Sequence, residues 1–188
     1  MRLKKYTIAF VQSILYPRIL YTRISLGEKH HSWIIVLIYC LIYVVGSFWL
    51  HYNGFTPFVE PWIIIPTELY YFIQAFYIIP LIFLMWILGT GVVHVICKFF
   101  GGSGSFHTLL TMTGYSLWAP WYPLIVVDCI HSTPEWLYNA VLVACILLVV
   151  ASTSMAAFVE EKVKPTGAMV SSIIALFSIG VILFTYIR

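Results

Sequence analysis

Residues 32–50 read SWIIVLIYCLIYVVGSFWL, an unbroken apolar run without a single Asp, Glu, Lys or Arg. At a rise of about 1.5 Å per residue, such a run wound as a helix reaches nearly across the ~30 Å hydrocarbon core of a bilayer. Trp33 and Trp49 stand at its two ends, where amphipathic rings favour the headgroup level. The whole 188-residue chain shares this character: hydrophobic residues make up 62%, charged residues 9%, and the mean hydropathy is +0.97. A soluble domain carries about 25% charged residues, so this chain has too little polar surface to face water all round. In lipid each backbone N–H and C=O must be paired within the chain, which leaves helices or a closed barrel. A barrel needs alternating strands of about ten residues, and the apolar runs here do not alternate. The expected class is therefore all-α, a polytopic membrane protein with five transmembrane helices preceded by an interfacial amphipathic helix.

Towards the N-terminus, residues 1–31 carry Arg2, Lys4, Lys5, Arg18, Arg23 and Lys29 among Ile8, Phe10, Val11, Ile14, Leu15, Ile19 and Leu20. Apolar positions recur at three- and four-residue spacing, which predicts a cytoplasmic, interfacial amphipathic segment broken near Pro17. Residues 32–188 form the expected five-helix membrane domain. After the first span, Ser32–Leu50, the stretch 51–67 holds Asn53, Gly54, Pro57, Pro61 and Pro66, which exclude a continuous helix. Its apolar residues predict that it lies on or dips into the outer interface. The second span is expected over Glu68–Phe99, bent by Pro80, Gly89 and Gly91. A short glycine-rich loop over 100–107 leads to the third span, Thr108–Ile130, kinked at Pro120 and Pro123. A brief loop over 131–135 precedes the fourth span, Trp136–Phe158. Glu160, Glu161, Lys162, Lys164 and Pro165 then read as a turn before the fifth span, Gly167–Ile187. Ser171, Ser172, Ala175, Ser178 and Gly180 give that last span a small-residue face.

The basic residues test this layout independently. Arg2, Lys4, Lys5, Arg18, Arg23, Lys29, Lys98, Lys162 and Lys164 all fall on one side, and only the C-terminal Arg188 falls on the other. The outer loops carry Glu60, Glu68 and Glu135, with Asp128 at a span end. Positive residues in short loops mark the cytoplasmic side, so the expected setting is the cell inner (plasma) membrane, multi-pass, with the N-terminus cytoplasmic and the C-terminus outside. The net charge of +3 and pI near 8.6 arise from these scattered juxtamembrane positions, which suit anionic membrane lipids and not nucleic acid. Cys40, Cys97, Cys129 and Cys145 form no C-x-x-C pair and read as small lipid- or core-facing residues. The interrupted first apolar stretch, with Gln12, Ser13, Pro17 and Arg18, predicts no cleavable signal peptide.

No residue pattern points to chemistry. The loop Gly101-Gly102-Ser103-Gly104-Ser105 lacks the G-x-x-x-x-G-K-[ST] spacing of a phosphate cradle, and a membrane helix precedes it where a strand would be needed. It is expected to be a tight, solvent-facing turn that binds no nucleotide. Of His30, His31, His51, His94, His107 and His131, only His94 falls within a span, with no second histidine at its depth, so no metal or other cofactor is expected. Asp128 and Glu68 are the ionisable residues nearest the membrane, both close to the outer interface, which argues against a relay at midplane depth. Trp118, Trp121, Tyr122 and Trp136 read as an aromatic belt.

The run Phe100-Gly-Gly-Ser-Gly-Ser-Phe-His-Thr-Leu-Leu, followed by Thr113-Gly-Tyr-Ser-Leu-Trp-Ala-Pro120, resembles the Yip domain. This is the family of small Ypt/Rab-GTPase-interacting membrane proteins and their bacterial and archaeal relatives. In that pattern a glycine-containing cytoplasmic loop ends in a Phe and leads into a span with a Gly-Tyr-Ser…Pro sequence. Gly102, Gly104, Phe106, Gly114, Tyr115, Ser116, Leu117 and Pro120 match in order, and Gly101 belongs to the same loop. The long acidic N-terminal region of the eukaryotic trafficking members is missing, and their Asp-Leu-Tyr-Gly-Pro motif has only a faint echo in Val59-Glu60-Pro61-Trp62. The likeness is to a prokaryotic-type member. It implies a noncatalytic membrane adaptor or accessory subunit, not an enzyme, that associates with other integral membrane proteins or itself, or shapes membrane. The alternative is a small channel or carrier for an ion or small solute, suggested by the broken third span, Asp128 and hydroxyls such as Ser116, Thr111 and Thr113. The Gly114–Pro120 segment is expected to be the packing centre of the domain, because glycine permits close helix approach in lipid.

Overall fold

The computed structural model describes residues 2–28, 30–55, 66–129 and 134–187. Among these the chain is helical with no strand. Helices α1 (Arg2–Leu15) and α2 (Pro17–Ser25) are separated at Tyr16, because Pro17 disfavours helical backbone in the residue before it and is itself suited to a helix's first turn. Helix α3 (Trp33–Tyr52) follows, then a 3₁₀ turn at Thr67–Leu69 that opens α4 (Tyr70–Phe99), with Pro80 inside it. Helix α5 (Phe106–Ser116) is joined to α6 (Tyr122–Cys129) through Leu117, Trp118 and a 3₁₀ turn at Ala119–Trp121. Helices α7 (Glu135–Glu161) and α8 (Pro165–Ile187) complete the bundle. The expected segment over 51–67 falls mostly on residues 56–65. These lie outside the described residues, as do Lys29, Ile130, His131 and Arg188, and the side chain of Asp128.

The protein is an all-α, polytopic membrane protein. Trp33–Tyr52, Thr67–Phe99 and Trp136–Glu161 are each long and apolar enough to cross a bilayer, and the Pro165–Val181 part of α8 is a shorter apolar helix. The expected third span, Thr108–Ile130, is not one kinked helix but two short ones. Proline at position 120 has no N–H to offer the Ser116 carbonyl, and α5 ends there.

Helices α3 and α4 run antiparallel, with Ser47 donating to Gln74 at one end (3.1 Å) and Ser32 facing Trp86 and Gly114 at the other. Helices α3 and α5 start towards the same side: Ser32 touches Gly114, and Tyr122 donates to the Ile35 carbonyl at 2.8 Å. Helix α4 also packs on α8, and α7 packs on α8, α5 and α2. One cluster of the core joins Leu20, Tyr21 and Ile24 of α2 to Val93, Leu109, Met112, Tyr115 and Ala156. The other gathers Val36, Cys40, Ile78, Ile82, Met85 and Leu117. Phe10 of α1 meets the Tyr122 ring edge-on at 5.1 Å, and Tyr21 is fully buried with its hydroxyl 2.7 Å from Ser152 of α7. The amphipathic N-terminal segment thus contributes core residues.

Candidate functional site

The buried acidic residues Glu160 and Glu161 lie where α4, α5, α7 and the loop between α4 and α5 meet. Helix α4 ends in a left-handed turn at Gly101 (φ +81°), with Gly102 N–H donating to the Cys97 carbonyl (2.8 Å) and Gly101 N–H to Lys98 (3.0 Å). This double closure needs a residue without Cβ at its pivot, which is why glycine stands there. Gly27 and Gly54 close α2 and α3 with the same pair of bonds. Past Gly101 the chain runs extended to Ser105, whose side chain caps α5 by accepting from Thr108 N–H at 3.2 Å.

The loop faces solvent at Gly101, Ser103 and Ser105, as expected, but it is not free. It is held by the end of α7. Gly104 N–H donates to Glu161 Oε2 (3.0 Å), Ser105 N–H to Glu160 Oε1 (2.8 Å), and Ser103 N–H to the Glu161 backbone carbonyl (3.1 Å). The Glu161 carboxylate is wholly buried and also accepts from or faces His94 Nδ1, while Lys98 Nζ lies 3.5 Å from it. Lys98 donates in turn to the Gly104 carbonyl at 2.9 Å. Residues four apart share a helix face, so His94 and Lys98 present one basic stripe of α4 to the acidic end of α7. Phe106 closes the site, its ring 5.7 Å from that of His94.

This arrangement corrects one expectation. The fourth span does not end at Phe158 with Glu160 and Glu161 in a polar turn. Helix α7 continues through Glu161 and ends only at Lys162, in a left-handed conformation (φ +56°). A carboxylate at this depth would be costly alone, but here it is surrounded by donors. The loop glycines serve two ends. At Gly102 a Cβ would sit 2.8 Å from the Cys97 carbonyl oxygen and from Glu161 Oε2, and at Gly104 it would sit 2.5 Å from the Glu160 carbonyl oxygen. Only Gly101 among them has positive φ, so close approach to α7 and α4 explains the other two. Glu160 and Glu161 were missed as site residues. The available signal was an acidic pair directly ending an apolar run, matched by a His and a Lys at helical spacing on another span.

The remaining motif residues lie elsewhere, about two turns further along α5. At Gly114 a Cβ would come 2.5 Å from Ser32 Oγ and 3.0 Å from the Trp86 ring. Ser116 is buried and accepts from Thr153 of α7 at 3.1 Å. Tyr115 is fully buried, and Pro120 is buried in the 3₁₀ turn. Nearby, Thr90 and Thr113 share a hydrogen bond at 2.6 Å, and Trp86 Nε1 donates to the Leu110 carbonyl at 3.0 Å. The loop glycines and the Gly114–Pro120 group are therefore two separate sites. No group of three or more His, Cys, Asp or Glu side chains among the described residues is placed to hold a metal ion.

No curated protein and no solved structure matches the chain. The family model described as the Yip1 domain does match, over residues 11–187, which takes in both glycine sites, the acidic end of α7 and all of α2. This helical membrane protein belongs to the Yip1-domain family.

Proposed function

We propose that the protein is a noncatalytic integral membrane adaptor or accessory subunit, working by lateral association with other membrane proteins or with itself. One observation carries this reading: the buried carboxylate of Glu161 and the hydroxyl of Ser116 are engaged within the bundle, while large apolar side chains face outward. Glu161 is engaged by His94, Lys98 and Gly104, and Ser116 by Thr153. Phe76, Leu84 and Ile87 of α4, Leu147 of α7 and Phe177 of α8 are exposed. A dyad of carboxylate and imidazole is a part of many active sites, but among the described residues no hydroxyl or thiol hydrogen-bonds to the His94 ring. The loop amides that would cradle a phosphate are occupied by Glu160 and Glu161, which supports the expectation of no nucleotide. Purification in mild detergent followed by mass spectrometry tests the adaptor reading. A stable partner or a defined self-assembly is expected, and a lone monomer under all mild conditions would count decisively against it.

In the proposed topology the protein crosses the inner membrane five times, with the N-terminus, the loop over 100–105 and the turn over 162–164 cytoplasmic and the C-terminus outside. Cysteines placed at Ser103 and Asn53 should then label from opposite sides; labelling from one side would sink the layout. The Gly114–Pro120 segment is proposed as the packing centre. The alternative of a small channel or carrier draws its support from the buried hydroxyls Thr90, Thr113, Ser116 and Thr153. Saturable solute flux in proteoliposomes would favour it.

A further inference from the structure

Between the α2–α3 linker and the start of α5 lies a cavity of about 520 Å³. Because α3 begins beside Gly114, the linker passes alongside the first two turns of α5, and the two form facing walls. The cavity's lining has polar side chains, Glu28, His30 and His31 from the linker and His107 and Thr108 from α5. The same lining includes apolar Trp33, Trp86 and Leu110. Trp33 is the first residue of an apolar span and is half exposed, the position an indole takes at the headgroup level of a bilayer.

We propose that this cavity is a binding site for one membrane phospholipid, with the phosphodiester held by His31 and His107 and the glycerol and upper acyl chain lying against Trp33 and Leu110. Three observations support the assignment. Polar and apolar side chains line one cavity at the start of an apolar span, a combination that suits a lipid's headgroup and chain. His31 and His107 are exposed and come from opposite walls, and their rings make no hydrogen bond among the described residues, so each ring N–H is available to a phosphate oxygen. The single carboxylate in the lining does not repel that phosphate strongly. Arg23 donates to Glu28 at 2.8 Å, so a guanidinium counters the carboxylate's charge, with His30 3.3 Å away on the other oxygen. What remains on the rim is imidazole and hydroxyl, which suits an anionic phosphodiester. The inference does not depend on whether the protein is an adaptor or a carrier.

The test uses the full chain purified in detergent and titrated with short-chain phosphatidylglycerol, followed by thermal midpoint and by native mass spectrometry. One lipid should be retained saturably, with a rise in midpoint. H31A/H107A should weaken binding by roughly tenfold or more, the loss expected when two hydrogen bonds to a charged group are removed. Both residues are exposed, so the variant should elute and melt like the native protein without lipid. T111W, which fills the cavity and keeps both imidazoles, should also abolish retention. Native-like lipid binding by both variants would overturn the proposal. Equal stabilisation by inorganic phosphate at the same concentration would overturn the lipid assignment and leave a simple anion site.

Discussion

The two glycine sites of this protein lie on the same short helix and its leading loop, yet they work by different physics. At 101–105 the missing side chains let backbone amides reach carboxylates, so that the end of α7 is tied electrostatically to the ends of α4 and α5. At Gly114 the missing side chain lets one helix touch another, so that the start of α3 is seated by van der Waals contact against α5 and Trp86. The first site is polar, charge-assisted and local to the bundle's end. The second is a close helix contact without charged groups, at the start of a span. A glycine in a membrane protein thus has two distinct uses, and the spacing of the residues around it does not say which applies.

Four substitutions would sharpen or break this contrast, each read as a thermal midpoint in one detergent. The largest effect is expected for Glu161→Ala. It leaves His94, Lys98 and the Gly104 amide without their common acceptor, and orphaning partners of a buried carboxylate costs about 3 kcal/mol. Amide exchange at residues 103–105 should rise in the same variant; unchanged exchange would show that the carboxylates do not hold the loop. Gly114→Leu comes next, at about 2–3 kcal/mol of overpacking, because even its first carbon meets Ser32 and Trp86. Its exchange signature should appear at the start of α3 and spare the 103–105 amides. Gly101→Ala should cost about 1 kcal/mol through left-handed backbone strain alone, since nothing lies within 4 Å of its added Cβ. A cost as large as that of Glu161→Ala would mean the turn, and not the carboxylate, governs this end. Smallest is Ser116→Ala, at about 0.6 kcal/mol, the average for a hydrogen bond between membrane helices. If it instead abolished an activity while leaving the midpoint unchanged, the hydroxyls between α5 and α7 would be functional.

Much of the architecture was legible from residue order alone. The runs 32–50, 68–99 and 136–158 announce helices because an apolar stretch in lipid must satisfy its backbone internally. The α1–α2 break follows from Pro17, and the interruption near Pro120 from its missing N–H. What could not be read was where polar residues end up. Glu160 and Glu161 follow an apolar run and precede two lysines, a pattern equally suited to a solvated turn. The pairing of Glu161 depends on His94 and Lys98, more than sixty positions earlier, arriving at the same height on another helix. Likewise, the basic amphipathic segment over 1–31 reads as an interfacial helix, but no periodicity tells that Tyr21 will reach Ser152.

By itself, then, the order of residues determined that the chain is a helical membrane protein, where its helices break, and which family it joins, because these depend on local hydropathy, backbone chemistry and short motifs. Only the tertiary structure decided that an acidic pair clamps the glycine loop, that Gly114 sets the start of α3, and that the linker before α3 encloses a cavity. Each of those rests on contacts between segments far apart in the chain, whose relative heights are set by the packing of whole helices and not by any one of them.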